Sequence, residues 1–187
     1  PYCETIATRA DRGERVPPDE QSFRLCERCG YYSQPRAFTA FYFYFALVVW
    51  GFSSRWTVLC NSCMRREAWK MFGANLLFII GIIPSIVQLC RTYFGGPPLP
   101  KAFKGLDKAN VQGQAKKIRT ANTLYQQIIQ RLPHAAGIWY NMGLTLQNAG
   151  HTEAAATAYE NALRDCANFP PAYQRLRECY QTLGRAP

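Results

Sequence analysis

The sequence predicts a mainly α-helical chain with a small β part. It comprises a four-cysteine β-hairpin module, one membrane segment and a C-terminal array of antiparallel helices. Three observations carry this. Two Cys-x-x-Cys pairs, Cys26/Cys29 and Cys60/Cys63, lie some tens of residues apart. Met71 to Cys90 runs for 20 residues without a formal charge. From about Asp107 onward, helix formers recur at helical spacing, with a longer period of about 34 residues.

The boundaries follow from shifts in composition. Residues 1–24 are charged, hold Gly13, Pro17 and Pro18, and read as an irregular arm. Residues 25–66 form the four-cysteine module and 67–94 the membrane segment. Gly95-Gly96-Pro97-Pro98-Leu99-Pro100 stops any helix and opens a Gly/Pro-rich basic linker over 95–106. Residues 107–187 are the helical repeats. The chain opens on Pro1 and not on a methionine, so a processed chain or part of a longer one is expected, and no signal-peptide pattern is visible at this end.

With 48% hydrophobic and 14% aromatic residues, the 187-residue chain is no disordered tail. Apolar residues cluster at 38–59 and 71–90, which points towards a membrane protein. The net charge is +10, and its densest excess is Lys101, Lys104, Lys108, Lys116, Lys117 and Arg119 against Asp107 alone. After a membrane segment such a run attracts anionic lipid headgroups, at about 1 kcal/mol per basic residue. Nucleic acid is the competing partner and ranks lower, because only Phe103 offers an aromatic platform. A solvated linker is the third possibility.

Two residues between paired cysteines let both sulfurs reach one ion, and Gly30 permits the positive φ of the turn that follows. Soft thiolates select zinc or iron. Four protein ligands complete a tetrahedron and leave no position for water, so the role is structural. Cys3, Cys90, Cys166 and Cys179 lack partner spacing and are expected to be packing residues. One shared ion also settles a local question. Phe38–Gly51 is apolar enough to suggest a membrane helix. A spanning helix of about 20 residues, however, is roughly 30 Å long and would put the two pairs on opposite sides of a bilayer, so the chain must turn back. The expected hairpin has strands at Phe38–Val49 and Arg55–Leu59, with Gly51-Phe52-Ser53-Ser54 near the turn. Phe41, Phe43 and Phe45 alternate with Tyr42, Tyr44 and Ala46, so both faces are apolar and both should be covered.

Over about Leu25–Arg65 the four cysteines resemble the zinc-ribbon family, in which two knuckles flank β-strands. The resemblance implies zinc on Cys26, Cys29, Cys60 and Cys63. Cys29-Gly30-Tyr31 is also similar to the first knuckle of rubredoxins, which bind iron. The second knuckle lacks the proline and glycine usual there, and the acidic loop is missing, so iron is the alternative. Ordinary buried or disulfide-bonded cysteines are the structural alternative.

Met71–Cys90 has the length of one spanning helix, weakened by Asn75, Ser85 and Gln88 and kinked by Pro84. Flanking Lys and Arg tie, which fits either a single span or a re-entrant hairpin bending near Gly81–Pro84. Reduced cysteines favour the cytoplasmic side for the four-cysteine module.

Trp139-Tyr140-Asn141-Met142-Gly143, followed by Leu146, Gly150, Ala155, Tyr159, Ala162 and Leu163, is similar to the tetratricopeptide-repeat (TPR) motif at nearly every signature position. Ala121, Tyr125, Ile128 and Pro133 match the second helix of a preceding repeat. Tyr173, Leu176, Tyr180 and Gly184 match a following first helix, although Arg177 replaces a small residue. The resemblance covers about Lys116–Arg185, with one complete repeat, and such arrays need about three. The array is therefore expected to continue, to be capped, or to dock on another subunit. The family's groove binds peptide segments of partners, which implies a surface of Tyr140, Leu144, Gln147 and Asn148.

His134 and His151 are the only histidines and are expected to face solvent. No paired carboxylates, phosphate-cradling loop or nucleophile–base pair is legible, so the chain is expected not to be an enzyme and to have no small-molecule substrate. The expected function is a membrane-anchored, non-catalytic scaffold or accessory subunit, with other subunits of a membrane complex as partners. A membrane-attached, rubredoxin-like iron electron carrier and a nucleic-acid-binding zinc ribbon are the rivals.

Overall fold

The computed structural model describes residues 22–46, 49–76, 79–132 and 134–184. The chain divides into two units. One holds Arg24–Gly30 and Gln34–Leu99; the other holds Phe23, Tyr31–Ser33 and the chain from Pro100 onward.

In the first unit, the short strand β1 (Arg24–Leu25) leads into the first cysteine pair. Aromatic and β-branched residues then build a hairpin of two equal strands. The short strand β2 (Tyr32–Ser33) belongs to the other unit. Strands β3 (Arg36–Ala46) and β4 (Val49–Leu59) pair antiparallel from Arg36↔Leu59 to Ala46↔Val49. The expected hairpin is present, but its turn is not where glycine and serine suggested. Gly51–Ser54 lie within β4, and the pairing runs on to Ala46↔Val49; positions 47 and 48 lie outside the described residues. Small residues bias a chain towards turns only locally. Here full pairing of two strands rooted at the cysteine pairs prevails, with Ser53 opposite Tyr42 and Ser54 opposite Phe41.

Helix α1 (Asn61–Asn75) buries Met64, Ala68, Met71 and Asn75, one stripe at helical spacing. Phe38, Ala40 and Leu59 join Met64, Ala68 and Met71 in the core of this unit, beside Cys26, Cys60 and Cys63. Helix α2 (Ile79–Phe94) packs on α1. Buried Asn75 pins the pair: its Nδ2 donates to Phe41 O and to Ser85 Oγ, each at 2.9 Å. Arg36 closes the base by donating to Gly95 O, to Asn61 Oδ1 at 3.0 Å and to Thr92 O at 3.3 Å.

This arrangement corrects the expectation of a membrane segment. Met71–Cys90 is not one helix but the end of α1 and most of α2. At 15 and 16 residues these helices are about 22 and 24 Å long, short of the roughly 30 Å hydrocarbon core. Among the described residues no helix is long and apolar enough to cross a membrane. Helix α1 ends at Asn75 with Leu76 as its C-cap, while Gly81 and Pro84, the expected bend, sit inside α2. A hydropathy window counts apolar residues but not the break between two helices, and α1 also carries Arg65, Arg66, Glu67 and Lys70. The expected membrane location, with the cysteines on its cytoplasmic side, loses the segment on which it rested.

The second unit is a helical array. After a 3-10 turn (Lys101–Phe103) come α3 (Leu106–Gln114), α4 (Ile118–Ile129), α5 (Ala136–Asn148), α6 (Thr152–Asp165) and α7 (Pro170–Thr182). Part of the expected linker is therefore ordered: Phe103 is buried and stacks on Phe23, ring centroids 4.2 Å apart. Consecutive helices pack together, and α5 also touches α3 and α7. The starts of α4 and α6 are 34 positions apart, as are those of α5 and α7. The expected close approach at Gly143 is present, because a Cβ there would lie 2.6 Å from the Tyr159 ring. Gly150 turns the chain between α5 and α6 with φ 87°. In α7 the buried residues are Ala172 and Cys179, whereas Tyr173 is exposed.

Replacing Gly143 with alanine should therefore destabilise the array. Overpacking costs about 1–3 kcal/mol, against at most about 1 kcal/mol gained in helix propensity. A lower urea midpoint with an unchanged slope is the expected result.

Candidate metal centre

The first cysteine pair is held by main-chain bonds at the end of the hairpin. Gly30 N–H donates to Cys26 O at 2.9 Å, with Gly30 at φ 72°, a region open to glycine. Glu27 N–H donates to Val58 O at 3.2 Å, and Val58 N–H returns a bond to Glu27 Oε2 at 3.0 Å. This ties the first pair to β4 two residues before Cys60. The second pair joins a strand to a helix: Cys60 follows the last residue of β4 and is the N-cap of α1, and Cys63 lies in its first turn.

These elements bring all four Sγ atoms within 4.8 Å of one another. Cys29 Sγ and Cys60 Sγ are 3.7 Å apart. A tetrahedron with metal–sulfur bonds of about 2.3 Å has sulfur–sulfur edges of about 3.8 Å, so the donor set fits an ion. It does not fit disulfides, whose bond is about 2.05 Å, and none of the described cysteines forms one. Cys26, Cys60 and Cys63 are buried and Cys29 is half-buried.

Donors beside the cluster favour thiolate at Cys26 and Cys63. Cys60 N–H donates to Cys26 Sγ at 3.3 Å, Ser62 Oγ lies 3.3 Å from Cys60 Sγ, and Arg66 Nη2 donates to Cys63 Sγ at 3.5 Å. The N-terminus of α1 adds partial positive charge, with no acidic side chain in its first turn. The four thiols share protons unequally. Hydrogen bonding from Cys29 and then Cys60 drives the Cys26 thiol down, and donation to Cys26 drives Cys29 up. Cys60 is also raised, foremost by its bond with Cys26. Cys63 is lowered to about 7: its bond with Cys26 pushes it up, while those with Cys29 and Cys60 pull it down. A bound ion would replace the shared protons and be held by four sulfurs.

The remaining expected site residues do not form one surface. Tyr140 and Leu144 are buried, Tyr140 between the rings of Tyr159 and Phe169, so α5 turns them into the array and not towards a partner. Gln147 accepts from Tyr159 OH at 2.8 Å and donates to Glu178 at 3.3 Å, and Asn148 is exposed. Lys101, Lys104, Lys108, Lys116, Lys117 and Arg119 are all exposed, spread over the 3-10 turn, α3, the turn after it and α4. His134 and His151 are exposed as expected. Cys166 and Cys179 are buried, Cys90 is exposed and is no packing residue, and Cys3 lies outside the described residues. Sequence reasoning missed Asn110, Asn141 and Thr145, three buried polar residues of the array. Their one signal was a polar pair at i and i+4, Asn141 and Thr145, inside an otherwise apolar helix.

No family model matches the chain, and neither a curated protein nor a solved structure does. The zinc-ribbon and tetratricopeptide resemblances therefore rest on the residues themselves.

Substituting serine at any one of Cys26, Cys29, Cys60 or Cys63 should abolish stoichiometric metal binding, while Cys90→Ser should leave it unchanged; elemental analysis of the purified chain checks both. Because protons compete for the sulfurs, affinity should fall as pH falls, which a chromophoric chelator can follow.

Proposed function

We propose that the four-cysteine unit is a structural zinc module, and that the chain is a non-catalytic scaffold or accessory subunit binding other proteins. The observation that carries this is the convergence of four sulfurs. Four protein ligands complete the tetrahedron and leave no open position for substrate or water, the mark of a structural site. Zinc is chosen over iron because the second pair runs directly into α1 and lacks the glycine and proline expected of a rubredoxin-type knuckle.

Protein binding is supported by two features. Phe52 and Trp56 on β4 and Trp69 on α1 are each more than half exposed, and large aromatic side chains are enriched at protein interfaces. The 34-residue spacing of the array, with Gly143 against Tyr159, supports a tetratricopeptide-like module, whose members hold peptide segments.

The purified chain should be colourless and contain zinc. A strong chelator should melt the hairpin signal in circular dichroism at a lower temperature, because the binding free energy of such sites is folding free energy. A visible thiolate-to-iron absorption band would replace zinc by the iron-carrier reading. Absence of any bound metal would sink both.

A further inference from the structure

Within the array, Asn141 and Thr145 on α5 are 0% exposed, and Asn110 on α3 is 2% exposed. These polar groups meet a short piece of extended chain, Tyr31–Ser33. The Asn141 amide engages both main-chain groups of one residue: Oδ1 accepts the Tyr32 N–H at 2.6 Å, and Nδ2 donates to Tyr32 O at 2.7 Å. Asn110 Nδ2 donates to the same carbonyl at 3.1 Å. Asn110 Oδ1 accepts from Asn141 Nδ2 and from Tyr125 OH, each at 2.9 Å, which holds both amides in place.

The surrounding surface is shaped for two rings. A Cβ at Gly113 would meet Tyr31 Oη at 3.0 Å, and one at Gly137 would run into the Tyr32 ring. Tyr31 Oη lies 3.2 Å from Thr145 Oγ1, and Phe23 stacks on Tyr32 with centroids 5.5 Å apart.

A core residue is normally held through its side chain, whereas Tyr32 is held through the N–H and C=O that any peptide carries. The two-bond exchange with Asn141 reproduces the pairing of an antiparallel β-bridge, one general way of reading extended peptides. The segment also carries a flaw that favours release: Ser33 Oγ is buried without a hydrogen-bond partner. We infer that Tyr31–Ser33 is an intramolecular ligand, occupying in cis a peptide-reading site made by Asn110, Gly113, Gly137, Asn141 and Thr145. The external ligand of that site is an extended segment of a partner protein with two adjacent aromatic residues. This deepens the protein-binding reading above and rests on it. An attached segment competes at an effective concentration in the millimolar range, so the site is closed until a stronger segment displaces it.

The test uses the full chain and a fluorescent peptide, Gly-Tyr-Tyr-Ser-Gln-Pro, read by anisotropy. The wild-type chain should bind it weakly. The double variant Tyr31→Ala/Tyr32→Ala should bind at least tenfold more tightly, and adding Asn141→Ala should remove that gain. Equal binding by wild type and double variant, with unchanged circular dichroism, would overturn the inference. Hydrogen exchange of the wild-type chain decides the matter if the double variant does not fold. Faster exchange at the Tyr32 amide than in the middle of α5 supports a releasable ligand, and equal protection means a permanent piece of core and overturns it. Failure here would leave the zinc scaffold standing, since zinc content and chelator-induced melting read that separately.

Discussion

Four sulfurs lying within 4.8 Å of one another constrain everything between them. The 31 positions from Cys29 to Cys60 must leave and return to one point, which only a reversal near their middle allows. Two strands of 11 residues satisfy this and pair all their facing positions from Arg36↔Leu59 to Ala46↔Val49. The same convergence starts α1, because Cys60 caps it and Cys63 lies in its first turn. The helix in turn supplies partial positive charge where thiolates gather. Candidate site and fold are thus one construction, in which the cysteines are also the joints between hairpin and helix.

Polar side chains at buried positions set the finer geometry in both units. Asn75 links α1 to a β3 carbonyl and to Ser85 of α2, so the helix pair has one preferred register. Arg36 gathers the start of α1 and the end of α2 at the base of β3. Such groups are costly to bury alone and specific once paired. Their directional bonds also turn an apolar stretch that composition assigns to a membrane into two short helices packed on a sheet.

The array uses the same device to hold a segment of its own chain. Asn110 and Asn141 satisfy each other and the main chain of Tyr32, and two glycines leave room for tyrosine rings. The residues that hold the segment are thus small or amide-bearing, not the large side chains that a repeat signature marks. Tyr140 and Leu144, placed on the partner surface by motif analogy, instead pack inside. A motif position fixes a helix phase relative to its own pair, whereas the open face depends on what the neighbouring helices and segments cover.

By itself the sequence determined the four cysteines that could hold an ion, the existence of a hairpin, and the period and glycine contact of the helical array. Each follows from spacing along the chain: two residues between thiols, alternation by two, helical recurrence and a small residue opposite a large one. The tertiary structure alone decided the register of the hairpin, that α1 ends at Asn75 and a second helix carries Ile79–Phe94, and which residues of α3 and α5 meet the Tyr31–Ser33 segment. Those outcomes turn on hydrogen bonds between residues far apart in the chain, such as Asn75 with Phe41 and Asn141 with Tyr32, 109 positions apart. Local propensity carries no information about such pairings.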